Sequence, residues 1–396
     1  MPDRVLTDDG AVRDLAAVLL ASGAFALDLE FVSESRYVPE VCLAQVAWGD
    51  PEAPEVAAVD PLAADPRPVL DLVGDPEVET VFHAAQGDLA LLGQRFGIAG
   101  ANVYDTQIAA AFLGVGDQIG YAGLIAHLLE VEIDKGPQFT DWCKRPLTAD
   151  QLRYALDDVR YLATAWPRLR RRLEEAGRLA WVEEETERLA ASAAARTPPE
   201  EMYRRVKGWA SLRGKALGVL QELAAWREET ALAENRPPSW ILQDRSLLEV
   251  ARRAPANPGA LAAIRGVKEG TVHRHGQAIL RAVREGGKRR PESGPRQRPL
   301  PDRARGWSVL LAGLVTARCK EAGIAPRFVA TRDEIEALLR WWLEGDRSRE
   351  PDDLPVLGGW RRDLVGNTLL AWLAGETAIA IDEASEAGIK LAAGEG

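Results

Sequence analysis

The sequence lacks the features that would tie it to a bilayer, a secretory route or a thiolate metal centre. No apolar run reaches the ~20 residues that a membrane-spanning helix needs. The opening residues, Met1-Pro2-Asp3-Arg4-Val5-Leu6-Thr7-Asp8-Asp9, are too acidic for a secretory leader. Both absences favour a cytoplasmic protein. Cysteine occurs only at Cys42, Cys143 and Cys319. An odd set so widely scattered argues against a disulfide framework or a Cys-based metal site, and it reads as reduced thiols without a special role. Overall positive charge is missing too: the formal net charge is −11, which by itself argues against a polyanionic partner.

What is present is an ordinary globular composition, 46% hydrophobic and 28% charged, with room in 396 residues for two or three domains. Its charge is unevenly spread. Between Met202 and Leu310 stand 22 Lys plus Arg against 10 Asp plus Glu, a local +12 that leaves −23 for the remainder. A basic middle flanked by acidic segments is the footprint of a part that meets phosphate, with a solvated basic helical surface as the plainer alternative.

The chemistry starts at Phe25-Ala26-Leu27-Asp28-Leu29-Glu30-Phe31. As a strand it sends Leu27, Leu29 and Phe31 to one face and Asp28 and Glu30 to the other. Two carboxylates on one face repel inside a folded domain unless a cation lies between them, and a divalent metal is the usual one. Alone, the pair fits an edge strand with a solvated acidic face equally well.

Further strands are expected at 41–48 and 56–59, forming a meander with the first, and at 80–83 and 102–104. Helices are expected at 87–96, with Asp88 near its start, at 107–113 behind an Asp105-Thr106 cap, and at about 120–130. Thr148 with Gln151 forms a capping box that opens a long helix. In it Tyr154 and Asp158, four apart, share one flank of the apolar arc, while Asp157 points away. Such a helix packed on the sheet would bring a phenol and a third carboxylate to Asp28 and Glu30. The fold class is therefore a mixed α/β sheet domain followed by all-α units.

Asp28-Leu29-Glu30, Asp88 within Phe82-His83-Ala84-Ala85-Gln86-Gly87-Asp88, and Tyr154-Ala155-Leu156-Asp157-Asp158 together resemble the three exonuclease motifs of the DEDD superfamily, in the subgroup with tyrosine in the third motif. Tyr37, Pro39, Leu43-Ala44-Gln45, Asp105-Thr106-Gln107, Thr140-Asp141-Trp142 and Arg145-Pro146-Leu147 extend the likeness to the ribonuclease D family. Leu29 departs from the frequent Thr, and Gly136-Pro137-Gln138-Phe139 departs from the small polar residues and Arg usual before Thr140. Neither change touches a carboxylate. The segment from Met202 to Glu285, with Arg236-Pro237-Pro238-Ser239-Trp240, resembles an HRDC domain. Helices expected at 309–321, 331–343 and 366–373 resemble a second, divergent one.

The resemblance implies a ribonuclease H-like exonuclease domain at 1–196, HRDC bundles at 202–287 and 303–386, and a Pro, Arg and Gly-rich linker at 288–302. It implies a monomer that hydrolyses RNA from the 3′ end, releasing nucleoside monophosphates in processing of tRNA precursors. It also implies two Mg²⁺ or Mn²⁺ ions, which two-metal sites hold ~4 Å apart. In that scheme Asp28 bridges, Glu30 and Asp158 hold the nucleophile's metal, Asp88 serves the second metal, and Tyr154 orients the attacking water. Gln45, Lys135, Trp142 and Arg145 are candidates to hold the terminal nucleotide, along with Leu29 of the first motif. Trp142 is open to a core role instead. His83 also stands on the substrate side, although a histidine ending a buried strand is more often structural. A DNA exonuclease and a non-catalytic nucleic-acid adaptor are the rivals. Matched RNA and DNA substrates separate the first, and indifference to Asp28→Asn would mark the second.

Overall fold

The computed structural model describes residues 4–133, 140–195, 197–289, 300–347, 349–351 and 353–394. A six-stranded mixed sheet organises the N-terminal half. Its strands are β1 (Arg4–Leu6), β2 (Ala24–Val32), β3 (Glu40–Trp48), β4 (Glu55–Val59), β5 (Glu79–Phe82) and β6 (Val103–Asp105), in the order β1-β4-β3-β2-β5-β6. The central meander is antiparallel, as its short turns require, whereas β5 and β6 run parallel to β2. Antiparallel register sets Asp28 opposite Gln45 and Glu30 opposite Leu43, and a bulge between Glu30 and Phe31 shifts the register before pairing resumes at Phe31–Val41.

Helices cover both faces. On one side α1 (Asp9–Ser22) packs Val12, Leu15 and Leu19 against Leu27, Leu29 and Val46. This helix and β1 were not anticipated. After α2 (Gln86–Leu91), α3 (Thr106–Phe112) and α4 (Tyr121–Leu129) comes α5 (Ala149–Glu175), which lies across the other face. Its Ala155 and Leu156 meet Leu43 and Ala58, and its Val159 and Leu162 share a core with Ala26, Ala47 and Val81. The Thr148–Gln151 capping box is present. The alternation that buries Leu27 and Leu29 under α1 thus turns Asp28 and Glu30 toward α5.

Residues 202–283 form a helical bundle with its own core, in which Leu217, Leu220 and Leu223 of α7 (Gly214–Ala233) meet Leu247 and Val250 of α8 (Asp244–Arg253) and Ile279 of α9 (Glu269–Gly286). It touches the sheet domain through the β2–β3 loop. Tyr37 Oη donates to Glu228, and the backbone N–H groups of Tyr37 and Val38 both donate to Asn235 Oδ1 at 3.1 Å.

The helices after residue 300, α10 (Asp302–Ala322), α11 (Arg332–Glu344) and α12 (Asn367–Leu373), are arranged differently: they share one core with the sheet domain. Phe112 of α3 meets Phe328 and Trp360, and Trp360 stacks on Trp181 of α6 (Leu179–Ala194) at 5.1 Å. Arg178 donates to the carbonyls of Phe112 (2.7 Å) and Ala322 (2.6 Å). Buried Arg361 pairs with buried Glu185 and donates to Glu184 and to the carbonyl of Phe328. The chain then forms a hairpin, β7 (Thr377–Ile381) with β8 (Ile389–Ala393), also unanticipated, which runs past the expected domain end at 386. Of the expected linker, residues 290–299 lie outside the described residues. Its last part is not linker, because Leu300 is buried in the shared core and α10 begins at Asp302.

The Arg361 pair gives a stability test. Arg361→Met leaves Glu185 to the half-exposed Arg188 at 3.3 Å and removes a donor from the Phe328 carbonyl, so it should cost about 3 kcal/mol in denaturant unfolding. Arg171→Met breaks only an exposed pair with Glu175, and about 0–1 kcal/mol is expected.

Candidate active site

Asp28 and Glu30 project from β2 toward α5, and α5 returns Asp158 to them. One carboxylate oxygen from each of the three lies within 4.8 Å of the others. Among the described residues this is the one such cluster of metal-capable side chains. Asp88, in the first turn of α2, is largely buried; its charge adds to the repulsion that raises Glu30, and its own carboxyl is raised by burial and then by Asp28. The turn that delivers it is built by Asp105, the residue that also caps α3. The Asp105 carboxylate accepts from Gln107 N at 2.8 Å, but also from Ala84 N at 3.0 Å and Ala85 N at 2.9 Å, holding Ala84 in a left-handed conformation at φ 57°.

Crowding four acids into a buried site has a direct electrostatic result. Burial, followed by repulsion from Asp28, Asp158 and Asp88, pushes Glu30 up to about 9. Burial and then Asp28 push Asp158 to about 8, with the Tyr154 hydrogen bond opposing. Burial raises Asp28 to about 6 and holds Asp88 well above the ordinary carboxylate range. Without a cation the cluster therefore holds protons at neutral pH. All donors are carboxylate oxygens, a set that suits a hard divalent cation rather than zinc or copper.

Tyr154 hydrogen-bonds Asp158 on the shared flank of α5, and burial and the adjacent carboxylates keep its phenol above the usual range. It is therefore a hydrogen-bonding group and not a base. Asp157 points elsewhere, forming an ion pair with Arg160 at 3.3 Å while its carbonyl accepts from Tyr121 Oη at 2.7 Å. Tyr121, which no sequence pattern singled out, faces Asp158 and Asp28 and lies edge-on to His83 at 5.6 Å.

The substrate-side candidates fare less well. Trp142 is buried and stacks against Tyr154 at 6.3 Å, so its ring supports the phenol and is not free for a base. Arg145 is committed as well: Nε and Nη2 bind Asp60 at 2.6 and 2.7 Å, and the guanidinium also donates to the carbonyls of Cys42, Trp142 and Lys144. It clamps the 140–147 segment to β3 and has no donor left for phosphate. Leu29 sends its side chain into the core on the opposite face, leaving its backbone as the route to a ligand. Gln45 is fully buried beside Asp28. His83 is mostly buried, with Nδ1 3.0 Å from Thr106 Oγ1; burial lowers its pKa against the pull of Asp105. Lys135 lies outside the described residues.

One expectation is overturned. Cys42 on β3 and Cys143 are joined in a disulfide with a Cα–Cα distance of 4.9 Å, and buried Cys319 alone is free. Sequence distance had argued against pairing, but the 140–147 segment folds back over β3.

Three outcomes follow from this geometry. Unfolded, unreduced protein should titrate the single thiol of Cys319, and reduction should expose the other two. Reduction should also lower stability by about 4–5 kcal/mol on the chain-entropy account of a 101-residue separation. In chelator, the folded protein binds more protons than the unfolded chain between the ordinary carboxylate range and the raised values of about 8 and 9. Its stability should therefore fall as pH rises through that window. Melting curves should show the fall, with a shallower slope for Asp158→Asn.

Residues 4–174 match the family model described as 3′-5′ exonuclease, and residues 216–283 match the HRDC domain model. The chain is 41% identical to a ribonuclease D of Gluconacetobacter diazotrophicus, covering 96% of this chain and 95% of the relative, and 36% identical to that of Zymomonas mobilis with 96% of both covered. The crystal structure of Escherichia coli RNase D, an exoribonuclease involved in structured RNA processing, superposes with a TM-score of 0.84 at 28% identity, covering 94% of this chain and 99% of that one. Convergence of the four acids and the tyrosine at the motif positions agrees with these likenesses, and the chain belongs to the ribonuclease D family.

Proposed function

We propose that the chain is a metal-dependent 3′-5′ exoribonuclease that releases nucleoside monophosphates from RNA ends, tRNA precursors among them, as a cytoplasmic monomer. The observation that carries the reading is the approach of Asp28, Glu30 and Asp158 to within 4.8 Å, with Tyr154 bonded to Asp158. Two Mg²⁺ or Mn²⁺ ions fit the donor set: Glu30 and Asp158 would hold one, Asp88 the other, and Asp28 both. When bound, such ions supply Lewis acidity to a water and to the scissile phosphate. Tyr154 would hydrogen-bond that water, its orientation fixed by Asp158 below and Trp142 behind. The cluster is half-buried, with Asp28, Glu30 and Asp158 partly open to solvent and Asp88 largely covered, so the acids interact more strongly than in free water while an RNA end can still reach them.

The basic 202–287 bundle would supply the sequence-independent phosphate attraction, weakening as salt rises. In this reading the unit from residue 303 to 386 is a divergent HRDC-like domain that has become part of the exonuclease domain's support. Removing everything after residue 201 would therefore expose the shared core, and point substitutions are the sounder test of the division of labour.

With 5′-labelled single-stranded RNA, wild-type protein should give a ladder shortening from the 3′ end. The ladder should vanish in chelator and fall at least about a hundredfold in rate for Asp158→Ala, an estimate based on typical losses for groups acting in a metal-assisted step. Equal rates on matched DNA would displace the RNA assignment. Undiminished cleavage by Asp158→Ala would displace the site.

A further inference from the structure

Gln45 stands out on the sheet face that carries the carboxylates. It is completely buried, and neither Nε2 nor Oε1 has a hydrogen-bond partner among the described residues. A buried primary amide left unmatched costs free energy that a Leu or Met of similar volume would not. Such a group calls for a reason.

The register supplies one. Gln45 is opposite Asp28 on β2 and opposite Ala58 on β4. Directly opposed residues of an antiparallel pair project from the same face with Cβ atoms about 5 Å apart. On the other flank Ala58 offers only a methyl group, and the helix above contributes Ala155, Leu156 and Val159. The polar neighbour in cross-strand register is Asp28. Glutamine is one methylene longer than aspartate, so its amide reaches the level of that carboxylate. It is also neutral at every pH, and can donate to a carboxylate without the positive charge by which a Lys or Arg would compete with a cation.

We propose that Gln45 is a positioning residue: in the metal-loaded protein its Nε2–H donates to the carboxylate of Asp28 and fixes the rotamer in which Asp28 serves both Glu30–Asp158 and Asp88. The proposal deepens the metal-site reading above and rests on it. It replaces the expectation that Gln45 touches the terminal nucleotide, which its burial opposes. Ligating carboxylates elsewhere are held by such outer hydrogen bonds, and losing one typically weakens metal binding or activity about 10–100-fold.

The test is Mn²⁺ titration calorimetry on the full chain, comparing wild type with Gln45→Met, which keeps length and volume but removes the amide. The dissociation constant should rise about tenfold. The melting temperature in chelator should stay level or rise, because an unmatched polar group has gone. In steady state kcat should fall while KM for RNA holds. Unchanged Mn²⁺ affinity overturns the proposal, as does a loss matched by a lower melting temperature in chelator, which marks a packing role. Should Gln45→Met not fold, Gln45→Asn carries the test: its shorter amide should weaken Mn²⁺ binding, and wild-type affinity overturns the proposal. Failure of the wild type to bind Mn²⁺ removes the metal-site reading and the proposal together. Binding by wild type and variant alike removes the proposal alone.

Discussion

Repulsion among buried carboxylates is the constraint to which this molecule is built. Asp28, Glu30, Asp88 and Asp158 come from a strand and two helices far apart in the chain; burial pushes each toward its neutral form, and for Glu30, Asp88 and Asp158 the neighbouring carboxylates push further. Nothing in the cluster itself would draw them together. The packing around it does: Leu27 and Leu29 lock β2 under α1, Ala155 and Leu156 seat α5 on the opposite face, and Asp105 ties the turn that presents Asp88. Stability is sacrificed locally to make a site that a hard cation can complete.

The same packing explains why the surroundings of the site are so rigid. Tyr154 leans on Trp142, whose segment is held to β3 by the Cys42–Cys143 bond and by Arg145 through the Cys42 carbonyl, and to the end of β4 by Arg145 through Asp60. Groups with the right chemistry to grip a nucleotide are thus spent on holding the phenol in place. A guanidinium already bidentate to a carboxylate has little left for phosphate.

Much of this was legible in the sequence because it depends on period. Alternation in 25–31 gave the face shared by Asp28 and Glu30, the 3.6-residue repeat gave the flank shared by Tyr154 and Asp158, and Thr148 with Gln151 marked the helix start. The partners of Trp142, Arg145 and the cysteines depend on where an irregular segment folds back, and composition carries no signal for that. Tyr121 is set by helix packing alone. The C-terminal hairpin carries a strand signal in β-branched Thr377, Ile379 and Ile381 at period two, but each run is five residues long and largely exposed, so it lacks the buried face that marks the strands of the main sheet. That the two helical units relate differently to the sheet domain was equally invisible, since both have amphipathic helices of similar length.

The shared core has a consequence for synthesis. As the chain leaves the ribosome, Phe112 and Trp181 are made long before Phe328 and Trp360, the aromatic residues that cover them. Until those arrive, the nascent exonuclease half carries an uncovered greasy flank, while the intervening bundle, with a core of its own, can close early. The half that performs the chemistry is then the last to mature, and the period before it does is when a chaperone, or an aggregate, would find it.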